Sequence, residues 1–264
     1  MKKTFLNNLD KLYTQFNIVM YNCKLLVPII FFLLFGCVHE VHHVQKQELH
    51  QMYQMIRKKL DLGYYKGAIK LLRSFEYYYP ISPYTKQMLL DKIYAYYKNS
   101  DFMLVLKTIN KFILIYPNYE NFDYILYIKA LSEEGLDKNM FNSFLKLNET
   151  DRNPQYALLA FKDFMKLIHY YPNSIYINYA KKHLFYLKER LARYELSIIK
   201  FYNQSGAYVA VLNRCENMLK KFLDTQSAKE SLQYMEYAYR KLGLVHESNK
   251  IKQILQINRI KLLN

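Results

Sequence analysis

YKGAIKLLRSFEYYYP (65–80) and FMLVLKTINKFILIYP (102–117) share one arrangement of residues, and that arrangement decides the fold. ALLAFKDFMKLIHYYP (157–172) and YVAVLNRCENMLKKFL (208–223) superimpose on them when the ends are aligned. In each segment apolar residues recur at steps of three and four, which puts them on one face of a helix. Twelve residues before each terminal position stand Ala68, Val105, Ala160 and Val211, small enough to let a partner helix approach closely. Four positions on come Leu72, Ile109, Phe164 and Cys215, and three further Phe75, Phe112, Leu167 and Met218. These eight are the expected buried stripe. Cys215 is accordingly read as a core filler, since a reactive thiol needs a partly exposed, electropositive setting.

Pro80 and Pro117 stand 37 residues apart, close to the tetratricopeptide period of about 34. The next intervals, 55 and 51 residues to Pro172 and Leu223, imply longer helices or insertions. Pro80-Ile81-Ser82-Pro83, Asn153-Pro154 and Pro172-Asn173-Ser174 each stop one helix and start another. Ser82, Asn153 or Ser174 is expected as N-cap, with Pro83 or Pro154 in the first turn. Partner helices are expected near 47–62, 84–98, 121–134, 174–203 and 226–242, with a final helix near 245–262. Residues 135–153 break the period and are expected as a loop. No run alternates apolar and polar residues between turn residues, so no strand is predicted.

The predicted fold is all-α, a tetratricopeptide-like α-solenoid of about five helix pairs over residues 47–264. Such an array offers an extended groove suited to peptides or partner domains. Tyr77, Tyr78, Tyr79, Tyr94, Tyr96, Tyr97 and Tyr116 cluster in the first two repeats. Tyr96 falls at a core position of the repeat, and most of the others are expected to fill helix interfaces, with a minority lining the groove.

LLVPIIFFLLFGC (25–37) is an apolar run too short to span a bilayer comfortably but suited to the core of an export signal. Leu34-Phe35-Gly36-Cys37 reads as a lipobox, which makes Cys37 the lipidation site and the first residue of the mature chain. Residues 1–36 are then the lipoprotein signal sequence and residues 37–46 a lipidated flexible tether; an uncleaved membrane anchor is the other reading. Translation from Met20 would give a compact signal headed by Lys24. Several acyl chains, each contributing about 0.8 kcal/mol per buried CH₂, hold a protein on a membrane. Val38 stands where an aspartate would favour the inner membrane, so the outer membrane is expected.

A net charge of +16 invites a nucleic-acid reading. The lysines, however, are scattered at helical spacing among Ile, Asn, Tyr and Phe, without a basic cluster. The bias that supplies 28 tyrosines and no tryptophan accounts for them. Three cysteines, Cys23, Cys37 and Cys215, make no disulfide framework. His39-Glu40-Val41-His42-His43 matches the H-E-x-x-H zinc signature. It lies on the expected tether and not on a helix backed by a domain, which leaves opportunistic metal binding as its better reading. No catalytic constellation, cofactor or resident metal is expected, and no enzyme.

IYAYYKNSD (93–101), DRNPQYALLAF (151–161), HYYPNSIY (169–176), RLARYE (190–195) and GAYVAVLNRCENML (206–219) together resemble the BamD family. These are tetratricopeptide lipoproteins of the β-barrel assembly machinery in Gram-negative bacteria. The resemblance runs in order from about residue 48 to about residue 260 and includes the lipobox. It implies a scaffold on the periplasmic face of the outer membrane. Its implied partners are the periplasmic domains of the barrel-forming Bam subunit, accessory Bam lipoproteins and unfolded outer-membrane β-barrel proteins. Arg214 matches the family arginine at the barrel-subunit interface. Tyr79 matches a tyrosine implicated in substrate recognition, and Lys111 stands where relatives carry arginine. A different tetratricopeptide lipoprotein, scaffolding cell-wall enzymes, is the alternative.

Overall fold

Apolar residues at steps of three and four, punctuated by proline and glycine, form successive helices in the computed structural model, which describes residues 47–139, 152–260 and 263. Among the described residues there are ten helices and no strand. They are α1 (47–61), α2 (Tyr65–Tyr78), α3 (Thr85–Lys98), α4 (Phe102–Ile115), α5 (Phe122–Asn139), α6 (Gln155–Tyr170), α7 (Ile177–Gln204), α8 (Tyr208–Phe222), α9 (Gln226–Lys241) and α10 (Val245–Ile257). The fold is all-α and tetratricopeptide-like, its helices following one another as five pairs. The signal, Cys37, the tether and the histidine motif at 39–43 lie outside the described residues, as does most of the expected loop.

Both kinds of turn repeat. The first helix of a pair ends on a residue in the left-handed region: Gly63 (φ +72°), Ser100 (φ +62°), Gly206 (φ +74°) or Gly243 (φ +74°). The amide after it reaches back five residues, as in Tyr64 N–H to Lys59 O at 2.8 Å and Ala207 N–H to Tyr202 O at 3.0 Å. That is a Schellman ending, which glycine adopts without steric cost. The second helix ends differently, at a tyrosine before proline. Tyr79, Tyr116 and Tyr171 have φ between −127° and −131° and ψ near 60°. A following proline bars its predecessor from helical geometry.

The chain forms two compact units, one up to Tyr84 and one from Thr85 onward. In the first, Ile56 and Leu60 of α1 are buried, as are Ala68, Ile69, Leu72 and Phe75 of α2. Tyr84 closes this unit by stacking on Tyr53 at 4.4 Å and hydrogen bonding His50 Nδ1 at 2.8 Å. In the second unit each helix packs on the next in sequence, and the 28-residue α7 also packs on α9. One apolar cluster lies among α5, α6 and α7, around Phe164, Leu167 and Leu187. Another joins α7 through α10, around Ile199, Val211, Cys215 and Leu255.

All twelve stripe and small-residue positions read from the sequence are no more than 2% exposed. The Cys215 thiol donates to the Ser231 carbonyl at 3.4 Å, and burial pushes it up to about 12. Residues 135–139, expected as loop, instead continue α5. A Cβ on Gly135 would lie 2.5 Å from the Phe102 ring, so the glycine admits the start of α4 rather than breaking the helix. The expected caps also shift. Ser82 and Ser174 accept from the amides of Tyr84 and Tyr176, two residues on, and Pro154 occupies the N-cap of α6.

Candidate functional site

Arg214 lies on α8, one residue before buried Cys215, so its side chain leaves the edge of the packed stripe. Its Nη1 donates to Glu195 Oε2 of α7 at 2.9 Å, and the two side chains are 40% and 30% exposed. The pair stands at a cleft of about 410 Å³. Pro154 and Leu158 of the α6 start, Leu191 and Tyr194 of α7, and Met218 and Phe222 of α8 supply apolar lining; Asn217 and Lys221 supply polar lining. An exposed guanidinium can present a planar fork of donors to a second carboxylate. Beside it, the apolar floor suits one hydrophobic side chain of the same partner.

Behind the cleft, polar contacts fix α5, α6 and α7 together. Arg190 is 1% exposed; its Nε donates to Asp137 Oδ2 at 3.2 Å and its Nη2 to the Arg152 carbonyl at 3.3 Å. Lys129 bridges Glu133 on its own helix and Asp163 of α6. Glu134 receives Lys138 and pairs with His183 Nδ1 at 2.6 Å, and the His183 ring stacks on Phe164. Burial alone would raise the Glu134 carboxyl, but hydrogen bonds from His183 and Lys138 outweigh it and lower it. Burial dominates at Glu133 and raises it despite Lys129. Glu189 of α7 accepts from the amides of Gln226 and Ser227, placing a carboxylate at the α9 N-terminus.

Tyr79 and Lys111 take no part in this cleft. Tyr79 belongs to the first unit, half-buried, its ring 5.4 Å from Phe75. Tyr116 repeats that packing on Phe112 at 5.2 Å, so the position is first of all a helix-end plug. Lys111 stands on the exposed face of α4. Of the tyrosines singled out from the sequence, Tyr96 is buried, whereas Tyr77, Tyr78 and Tyr94 are exposed.

Sequence reading picked out Tyr94 and Tyr97 but missed the rest of the tyrosine face in the second unit to which they belong. Tyr94 and Tyr97 of α3, Tyr124 and Tyr127 of α5, and Tyr176 and Tyr179 at the start of α7 repeat one i, i+3 spacing. Tyr127 stacks on Tyr176 at 4.5 Å, and Tyr124 lies 6.1 Å from Tyr176. Burial, then the neighbouring phenols, raises both Tyr124 and Tyr127 above the ordinary phenol value. The shared spacing on successive first helices was the available signal. Among the described residues no group of His, Cys, Asp and Glu is arranged to hold a metal, and no helix is long and apolar enough to cross a membrane.

Residues 45–254 match the model of the YfiO family, described as outer membrane lipoprotein. The outer membrane protein assembly factor BamD of Vibrio cholerae is 37% identical over 226 residues, 86% of this chain and 94% of that one. The protein of the same name from Buchnera aphidicola is 36% identical, over 81% of this chain and 87% of its own. That from Haemophilus influenzae is 33% identical, over 87% of each.

Proposed function

This chain belongs to the YfiO family of outer membrane lipoproteins, and from that membership we infer that it is an outer-membrane protein assembly factor. It acts as a lipid-anchored scaffold on the periplasmic face, without a catalytic step of its own. Residues 1–36 are removed as signal, Cys37 carries the lipid, residues 37–46 tether it, and the helical array from residue 47 binds partners. The observation that carries the reading is collinear identity of more than a third with an assembly factor across 86% of the chain.

Arg214 and its cleft receive the periplasmic domains of the barrel-forming subunit. What supports this is an exposed guanidinium paired with Glu195 beside apolar lining, able to take an acidic and an apolar side chain together. Unfolded barrel polypeptides meet the scaffold at Tyr79 and Lys111. The tyrosine face on α3, α5 and α7 adds a surface of apolar area edged with hydroxyls, suited to an extended strand whose backbone groups are unpaired. Accessory lipoproteins of the complex are further partners.

Affinity purification from detergent-solubilised envelope, with mass spectrometry of what is recovered, tests the assignment. Recovery of a polypeptide-transport β-barrel subunit in comparable amount is expected. Recovery of cell-wall synthases without that subunit would transfer the scaffold to the other class of partner.

A further inference from the structure

The first unit exposes a compact aromatic and aliphatic tip at one end. Tyr77 is 80% exposed, Tyr78 69% and Ile81 94%, and the two phenols pack edge to face at 5.1 Å. Neighbouring Tyr79 turns inward onto Phe75, so the outward pair is not held there by the core. The tip adjoins the beginning of α1, because Tyr84 stacks on Tyr53 and hydrogen bonds His50. Chain entry and tip therefore share one end of the unit, and the Gly63 turn marks the other.

Up the same face of α2 run Arg73, Lys70 and Lys66, at helical steps from Tyr77 and all exposed. Arg73 stands about 6 Å and Lys70 about 10 Å from Tyr77 along the helix axis. A leaflet's headgroup layer is roughly 5–8 Å thick, so phenols at its inner boundary would place these cations among the phosphates. Tyrosine is enriched at that boundary because one end of the ring is apolar and the other polar. Chain length supplies the proximity: Cys37 and Gln47 are ten residues apart, and ten residues reach at most about 33–36 Å.

We propose that this end of the first unit is a membrane-contacting surface, with Tyr77, Tyr78 and Ile81 entering the interface of a phospholipid bilayer containing anionic lipid and Arg73 and Lys70 facing its headgroups. The inference rests on Cys37 being the lipidated residue. It turns the anchor from a loose leash into one of two contacts, fixing which end of the unit faces the membrane.

The absence of tryptophan from the whole chain gives a clean test. The full-length lipoprotein carrying Tyr78→Trp is reconstituted into phosphatidylethanolamine–phosphatidylglycerol vesicles, some with brominated acyl chains. Tyr64→Trp, at the opposite end of the unit and also exposed, is the control. Expected are a shift to shorter wavelength and quenching by brominated lipid for Tyr78→Trp, with water-like, unquenched emission for Tyr64→Trp. Water-like, unquenched emission from Tyr78→Trp overturns the proposal, as does emission that shifts only when an unfolded barrel polypeptide is added, which would make the tip a polypeptide site. Intact-mass measurement of the same preparation separates the premise: a chain without acyl groups at Cys37 overturns the anchor, whereas an acylated chain with an unquenched tip overturns this surface alone.

Discussion

Arg214 and Arg190 sit on adjacent helices and differ most in exposure, 40% for the first side chain and 1% for the second. Exposure separates their consequences. Arg214→Glu sets a carboxylate against Glu195 and against any acid a partner brings. Breaking such a pair at an interface costs about 2–5 kcal/mol, so affinity for the barrel subunit's periplasmic domains should fall by about thirtyfold or more. Circular dichroism should stay native; unchanged affinity in a natively helical variant would remove Arg214 from the interface. Arg190→Ala instead leaves Asp137 charged and buried beside an emptied site. Losing one partner of a buried pair costs about 3–5 kcal/mol, read as a lower urea midpoint, and Asp137→Asn in the same chain should recover part of it. Glu134 carries a pH signature. Its carboxyl is lowered by His183 and Lys138 against the cost of burial, so its stabilisation is present above the unfolded carboxyl value of about 4.3 and is lost as pH falls through the folded value. Glu133 has the opposite sign: its raised carboxyl favours the fold at low pH and loses that contribution as pH rises through the folded value. Glu134→Gln should therefore destabilise at pH 7, with the difference from the unsubstituted protein shrinking below about pH 4.3. Equal urea midpoints at pH 7 would contradict the pairing.

At the level of the helix pair, the repeat is legible because its determinants are local. Small residue, stripe and terminal Tyr-Pro recur within sixteen residues, and each acts through the helix that bears it. The Schellman turns at Gly63, Gly206 and Gly243 are legible on the same ground, each glycine standing two residues before a second helix. What the sequence hides is chemistry assembled from separate helices. Arg190 reads as a surface arginine until Asp137 and the Arg152 carbonyl meet it. Glu189 reads as one more charge on α7 until the α9 N-terminus arrives. The tyrosine face requires three helices side by side, so single-helix periodicity passes over it. Of the site, Arg214 is visible through its motif, but Glu195 and the cleft lining are not. Gly135 misleads for a related reason: its helical neighbours cannot show that the Phe102 ring fills the missing Cβ position. Gly135→Ala should destabilise by about 1–3 kcal/mol, the usual cost of overpacking. Added to Phe102→Ala it should cost far less than when introduced alone, a coupling that a double-mutant cycle measures.

At the scale of the molecule, net charge and tyrosine content separate into general and particular contributions. Among the described residues many lysines and arginines lie on exposed helix faces. Others have particular work: Arg190 holds α7 against α5, Lys129 bridges α5 and α6, Arg214 stands at a cleft, and Arg73 and Lys70 flank an aromatic tip. Tyrosines divide likewise into helix-end plugs such as Tyr79 and Tyr116, a shared face around Tyr127 and Tyr176, and the outward pair Tyr77 and Tyr78. Helix pairs that bear separate surfaces suit the scaffold role proposed above. The most direct test is the rate at which an unfolded outer-membrane β-barrel protein becomes heat-modifiable in vesicles containing the barrel-forming subunit, with and without this lipoprotein. A faster rate with the lipoprotein, lost with Arg214→Glu, is predicted; the same rate whether or not it is present would contradict its role as an assembly factor.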